Sequence, residues 1–342
     1  MKKTGWRFAL LFLISAVFLY FFFRSVQWKE VLKYLTAVNP LVFLLVVILT
    51  PLHLLTRGIR WRFLLRPEKS RVSLWNLFAG NAVGFTVTFV FPGRLGELAK
   101  PLYLAQKEKM KKGFVMGTVV VERIFDMFTM CFLLGVFLLA KPLYAALFKV
   151  DEAANSNLHL WGFVGLAFAS GLLAVSLLLY FFKDPSLRLI AFLLRPFPEK
   201  FRRAALELAE EFILGLKFFH SVGAVLVYFL LSLMVWLLII FYYWVFFQAY
   251  HVNLPYFFLF PYVFLTMVGA SIPTPGMVGG FHYFSKLALT SLYHVDPNLA
   301  VGMTLVTHAL QLVVTCLLGY VILWKDGLSL FQVSRLRETA AP

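Results

Sequence analysis

Long apolar runs, each ended by charges or by Pro-Gly pairs, constrain this chain more than any other feature. Segments 6–23, 41–55, 114–140, 158–182, 222–249 and 299–323 are almost uninterrupted apolar sequence. A bilayer crossing needs about 20 such residues, and several of these runs together have no place in water. Soluble domains are roughly 45–50% apolar and about 25% charged. Here 61% of residues are hydrophobic and 14% charged, and the mean hydropathy is +0.83. The sequence therefore reads as one integral membrane domain over 1–342, all-α and polytopic, with about six full spans. The 32 Lys and Arg outnumber the 16 Asp and Glu, but they cluster beside the spans, where they face anionic headgroups and set topology. Membrane, not nucleic acid, is the expected partner. Cys131 and Cys316 lie inside apolar runs, so neither a disulfide framework nor a metal site is expected, and no cofactor motif is visible. The run 6–23 is followed by Arg24 and Trp28 without a small-residue cleavage site, which predicts a retained first helix.

Two apolar stretches behave differently. Segment 74–91 runs into Pro92-Gly93-Arg94-Leu95-Gly96-Glu97, and segment 255–272 runs into Pro273-Thr274-Pro275-Gly276-Met277-Val278-Gly279-Gly280. Pro and Gly at this density break a helix, and broken backbone at membrane depth survives only inside protein or beside a wet cavity. The stretches read as re-entrant helical hairpins near 74–105 and 255–293, hinged at Pro92, Gly93, Gly96, Pro275, Gly276 and Gly279. The alternative is two surface loops. The basic clusters Arg57–Arg71, Lys100–Lys112 and Lys183–Lys217, placed in the cytoplasm by the positive-inside rule, leave six spans with both termini inside. The expected location is the cell inner (plasma) membrane. On that topology a first half over 1–150 and a second half over 151–330 each contain span, hairpin, span in opposite orientation, an inverted repeat of the kind transporters use. Between the halves, Phe201, Ala205, Leu208, Phe212, Leu216 and Phe219 recur at helical spacing, predicting an amphipathic cytoplasmic helix near 199–219.

Charges inside a span cost about 2.5–3.5 kcal/mol each on insertion scales, so each needs a partner or a task. Arg94 and Glu97 sit at the first hairpin turn, and Glu122, Arg123 and Asp126 follow in the next span. Glu122 and Asp126, four apart, share a helix face and repel each other without a cation between them. The expected network has Arg94 bridging toward Glu122 and Asp126 while Glu97 reaches Arg123. An Arg left partly free there suits a phosphate headgroup. The plainer reading is a self-satisfied ion cluster that pins the hairpin. His282, Lys286 and His308 are weaker candidates, since an isolated intramembrane His often only packs and Lys286 has the reach to snorkel.

The stretch from Phe91 through Leu104, Phe-Pro-Gly-Arg-Leu-Gly-Glu-Leu-Ala-Lys-Pro-Leu-Tyr-Leu, with Val121-Glu122-Arg123-Ile124-Phe125-Asp126, resembles the signature of the flippase-like integral membrane family that includes the lysylphosphatidylglycerol synthase transmembrane domain. Ser271 through His282 resembles that family's second hairpin. The resemblance implies a lipid translocase fold with a central lipid cavity. This chain departs from the pattern at His282, where Glu is frequent, and at His308, where Arg is frequent. The synthases carry a soluble aminoacyl-transfer domain after their membrane part, whereas 18 residues follow Trp324 here, so lipid aminoacylation by this chain alone is not expected. The expected function is movement of an anionic phospholipid or polyprenyl-linked lipid between leaflets, by a monomer or a homo-oligomer. The alternatives are a membrane-embedded enzyme that modifies a lipid headgroup and a non-transporting scaffold subunit of an envelope pathway.

Overall fold

The computed structural model describes residues 2–24, 26–36, 38–140, 177–215 and 221–330, together with isolated positions between 163 and 175 and at 332. Every regular element among the described residues is a helix. The neutral segment 141–157, about half of the expected span 158–182, and residues 216–220 of the amphipathic segment lie outside them.

Helix α1 (Lys2–Phe23) and the short α2 (Trp28–Thr36) meet at a bend of 90°. Helix α3 (Pro40–Leu65) begins where the Asn39 side chain accepts hydrogen bonds from the Leu41 and Val42 N–H groups, with Pro40 in the first helical position. It is longer than the apolar run 41–55 and carries Arg57, Arg60 and Arg62 in its last turns. Arg57 and Arg60 therefore do not belong to a cytoplasmic basic loop. They share an inward stripe with Leu54, Trp61 and Leu64, all buried, so helical periodicity overrides their charge. Lys100 is likewise buried within a helix instead of lying in a loop.

Helices α4 (Leu74–Val90) and α5 (Gly96–Glu108) form an intimately packed pair across the Pro92-Gly93 break. Helix α6 (Lys112–Leu139) follows, then α7 (Lys183–Leu193), α8 (Glu199–Gly215) and α9 (Val222–Ala249). A second pair, α10 (Phe260–Ser271) and α11 (Gly280–Tyr293), flanks the Pro275-Gly276 break, and α12 (Pro297–Lys325) completes the order. Among the described residues α3, α9 and α12 are long and apolar enough to cross a membrane, and α1 with α2 would make a fourth crossing if read as one bent span. Helix α6, at 28 residues, has the length, but Glu122, Arg123 and Asp126 interrupt its apolar run. The amphipathic α8 packs against α6, with Ile213 buried.

The two helix pairs close in the same way. In the first, the Gly96 backbone lies so close to the Gly84 carbonyl and the Thr88 hydroxyl that a Cβ would collide with both. In the second, Gly280 and Gly269 make the reciprocal contact. Both breaks place the Gly and the residue after it in the left-handed region: Gly93 at φ 79° and Arg94 at 56°, Gly276 at 60° and Met277 at 59°. Gly96, grouped by sequence with the hinges, instead opens α5 with a helical backbone and serves close approach.

The ends are tied by polar contacts. Asp326, just past α12, accepts hydrogen bonds from the Tyr103 hydroxyl at 2.5 Å and Lys107 Nζ at 2.6 Å of α5. Glu108 accepts from Lys69 Nζ at 2.5 Å, Asn76 Nδ2 at 2.7 Å and the Ser73 N–H at 3.1 Å. Desolvation pushes the Glu108 carboxyl up, but these donors outweigh it and hold it below its ordinary value.

Two outcomes follow for thermal unfolding in detergent. Gly96→Ala is expected to cost about 1–3 kcal/mol by forcing backbones apart. Gly93→Ala meets no atom within 4 Å and is expected to cost only the backbone strain, about 1 kcal/mol; equal losses would contradict the packing role of Gly96. Because the folded-state value of Glu108 is depressed, its contribution is present above the ordinary Glu range near about 4.3 and is lost as pH falls through the lowered value. The stability gap between wild type and Glu108→Gln should therefore close in acid, and a gap that widens there would refute the assignment.

Candidate functional site

Four helices build a buried charge cluster. Glu122 and Asp126 project from one face of α6, as their spacing requires, and Arg60 of α3 stands between them. Its Nη1 lies 2.5 Å from Asp126 Oδ1 and its Nη2 3.4 Å from Glu122 Oε1, with both the Arg60 and Glu122 side chains 0% exposed. Arg57 Nη1 reaches Asp126 Oδ2 at 3.3 Å. Lys100 of α5 donates to Glu122 Oε2 at 2.5 Å and lies 4.2 Å from the centre of the Trp61 ring. From α9, Trp236 Nε1–H donates to Asp126 Oδ1 at 3.0 Å. Two cations per carboxylate, supplemented by an indole N–H, satisfy the charges that burial makes costly.

A second, more open set continues from it. Arg123 Nη1 lies 3.4 Å from Asp126 Oδ2, and its Nε lies 3.6 Å from Glu97 Oε2. Arg94 Nη2 lies 3.5 Å from Glu97 Oε1. Arg94 Nη1 donates to the Ser271 carbonyl at 3.2 Å, joining the first break to the end of α10. Arg94, Glu97 and Arg123 each remain about one-third exposed. The expected Glu97–Arg123 pair is present. The bridge to Glu122 and Asp126 is made by Arg60, with Arg57 and Lys100 beside it, and not by Arg94, because the left-handed turn directs Arg94 toward Glu97 and Ser271. Arg57, Arg60 and Lys100 were missed in sequence because they read as loop cations. The stripe Leu54, Arg57, Trp61, Leu64 held the available signal.

A cavity of about 410 Å³ opens beside these groups. Arg57, Arg94, Glu97, Arg123 and Asp126 line its charged end, and Phe85, Phe89, Trp236, Ile239, Val263 and Met267 make most of its apolar wall. His53, Thr50, Thr266, Gln311 and His308 add polar positions. Both Pro-Gly breaks reach it, through Arg94 and through Met277. His308 Nε2 donates to the Gly276 carbonyl at 3.0 Å, and its ring lies 4.6 Å from that of His282. His282 packs edge-on against Phe22 and is not part of the cavity lining. Glu122 lies behind the wall. Lys286 is elsewhere: its Nζ donates to the Phe22 carbonyl at 2.7 Å and the Arg24 carbonyl at 3.2 Å, closing the C-terminal end of α1. Among the described residues no group of three or more His, Cys, Asp or Glu is placed to hold a metal ion.

The family model for the lysylphosphatidylglycerol synthase TM region matches residues 8–319. The chain belongs to this family. It is also 28% identical over 134 residues to the UPF0104 membrane protein MJ1595 of Methanocaldococcus jannaschii. That similarity covers 37% of this chain and 40% of the relative, so it spans about two fifths of that protein's length. Family membership and the apolar helices together make this a multi-pass membrane protein.

The two halves of the cluster should respond differently to mutation. Glu122→Ala leaves the buried Lys100 without its carboxylate and Arg60 with Asp126 alone, and is expected to cost about 3–5 kcal/mol. Arg123→Gln removes a cation that is itself one-third exposed and leaves the buried Asp126 with Arg57 and Arg60, so it is expected to cost under about 1 kcal/mol. Unfolding temperatures of the purified variants in detergent measure both, and equal losses would erase the distinction.

Proposed function

We propose that this protein carries a lipid with an anionic headgroup between the leaflets of the cell inner membrane. The observation that supports it most is the cavity at the meeting of the two Pro-Gly breaks, cation-lined at one end and apolar along its wall. A phospholipid or polyprenyl-linked lipid has this division. Its headgroup would sit among Arg57, Arg94 and Arg123 while its tail stays against Phe and Met side chains or in the bilayer. A site of this volume falls within the range of small-molecule sites, about 300–1,000 Å³. Membership in a family named for a lipid synthase's membrane region is consistent with a lipid role.

In this reading α4–α5 re-enters from the cytoplasm and α10–α11 from outside. The two halves, 1–150 and 151–330, form an inverted repeat of about six spans, with both termini cytoplasmic. Four features favour it: helix lengths of 17 and 13 residues in one pair and 12 and 14 in the other, too short for separate crossings; a Pro-Gly break in each; the shared left-handed turn; and the Gly–Gly contact that closes each pair. Interrupted helices that meet between repeats are a recurrent transporter architecture. Access would alternate by rocking the pairs about their turns.

Liposomes with fluorescent phosphatidylglycerol in one leaflet test the proposal. The protein is expected to accelerate exchange between leaflets over protein-free vesicles. Arg94→Gly removes the guanidinium and also relieves the left-handed strain, worth roughly 1 kcal/mol, so exchange should fall toward the protein-free rate while the unfolding temperature holds or rises. Unchanged exchange with a chemically new lipid would replace transport by headgroup chemistry.

A further inference from the structure

The charge cluster is not neutral. Five cations, Arg57, Arg60, Arg94, Lys100 and Arg123, pair among the described residues with three carboxylates, Glu97, Glu122 and Asp126. The excess is two positive charges. Setting Lys100 aside still leaves four guanidinium groups, which do not deprotonate in proteins, against three acids. The sealed Arg60 and Lys100 balance Glu122 and Asp126, so the surplus is on the cavity side, where Arg57, Arg94 and Arg123 remain against Glu97. The donors there are also incompletely used. The buried Nε–H groups of Arg57 and Arg94 have no hydrogen-bond partner, and Arg123 Nε is 3.6 Å from Glu97, beyond hydrogen-bond reach. Unbalanced charge in a poorly screened interior is costly, and buried donors without acceptors add to that cost.

We infer that the headgroup this cavity takes carries two negative charges, a terminal phosphate monoester and not a phosphodiester or a zwitterion. The inference rests on reading the cavity as the headgroup site. A phosphate monoester holds about −1.5 to −2 charges at pH 7 and offers three acceptor oxygens. It would neutralise the excess and accept charge-assisted bonds from the partly exposed guanidinium groups of Arg94 and Arg123. A phosphodiester brings one charge and leaves one surplus. A zwitterionic headgroup brings none and would set its own cation against three guanidinium groups.

Equilibrium binding to the full chain in mixed micelles tests this with phosphatidic acid, phosphatidylglycerol and phosphatidylcholine of matched chains. Phosphatidic acid is expected to bind at least about tenfold tighter than phosphatidylglycerol, and phosphatidylcholine weakest. Arg123→Gln, which removes one surplus charge from a partly exposed position, should collapse that preference. Glu97→Gln, which adds to the surplus, should keep or widen it. Equal binding of phosphatidic acid and phosphatidylglycerol by the folded wild type overturns the inference, as does a preference untouched by Arg123→Gln. Inorganic phosphate that displaces phosphatidic acid at comparable concentration would assign the dianion to a soluble source. The charge inference would then stand while the lipid reading fails. Conversely, vesicle exchange that is equally fast for all three lipids would keep transport and refute the dianion.

Discussion

Arg60 holds the structure together by standing between Glu122 and Asp126. Two carboxylates one helical turn apart and buried in the bundle repel each other unless a cation stands between them. Arg60 meets that need from α3 with a planar fork that reaches both. Its position sets other contacts. Trp61, the next residue, donates to the Thr118 hydroxyl of α6 at 2.9 Å, so α3 and α6 are held by two adjacent bonds of different kinds and cannot slide. Lys100 answers the second Glu122 oxygen and so fixes α5, and Trp236 answers Asp126 and so fixes α9. Arg60, Lys100 and Trp236, gathered on the two carboxylates of α6, thereby link four helices.

The breaks themselves show how similar backbones were given different tasks. Each turn has a Gly followed by a non-Gly residue at positive φ, and each is held shut by a glycine contact between its helices. A side chain at positive φ is strained, and such strain persists only where the surroundings fix it. In the first turn the strained residue is Arg94, aimed at Glu97. In the second it is Met277, which lines the cavity with sulfur and carbon. The acids and guanidinium groups of the cavity come from the first half of the chain, while α9 to α12 supply Trp236, Val263, Met267 and His308. The apolar wall, by contrast, draws on both halves, with Phe85 and Phe89 from the first beside Trp236, Val263 and Met267 from the second.

Much of this was legible in the sequence. The helical class, the membrane setting and the two breaks follow from apolar run lengths and from Pro and Gly, which act locally. The family signature around Arg94 and Glu122 agreed with the family match. The partners of Glu122 and Asp126 were not legible, because a basic residue just beyond an apolar run is as readily a topology signal as a buried ion. What decides is whether the apolar stripe continues past it. Leu54, Trp61 and Leu64 continue the stripe around Arg57 and Arg60, whereas Arg66 and Arg71 have no such neighbours and stay at the surface. Counting acids would have served as well, since the two acids of α6 needed more positive charge than Arg94 alone supplies.

Burial then separates the charges that hold the bundle from those free to act. Arg60 and Glu122 are sealed, and exchanging either partner for a ligand would first require opening α3 from α6. Arg94, Glu97 and Arg123 are one-third exposed, at separations of 3.5 and 3.6 Å that leave their pairs loose. Ion pairs in such a setting contribute little and exchange partners readily. An incoming anion can therefore draw Arg94 and Arg123 away from Glu97 while Arg60 keeps the helices in register. The proposed binding and release of a headgroup would need both properties at once, and the change in burial along α6, from Glu122 to Arg123, places them side by side.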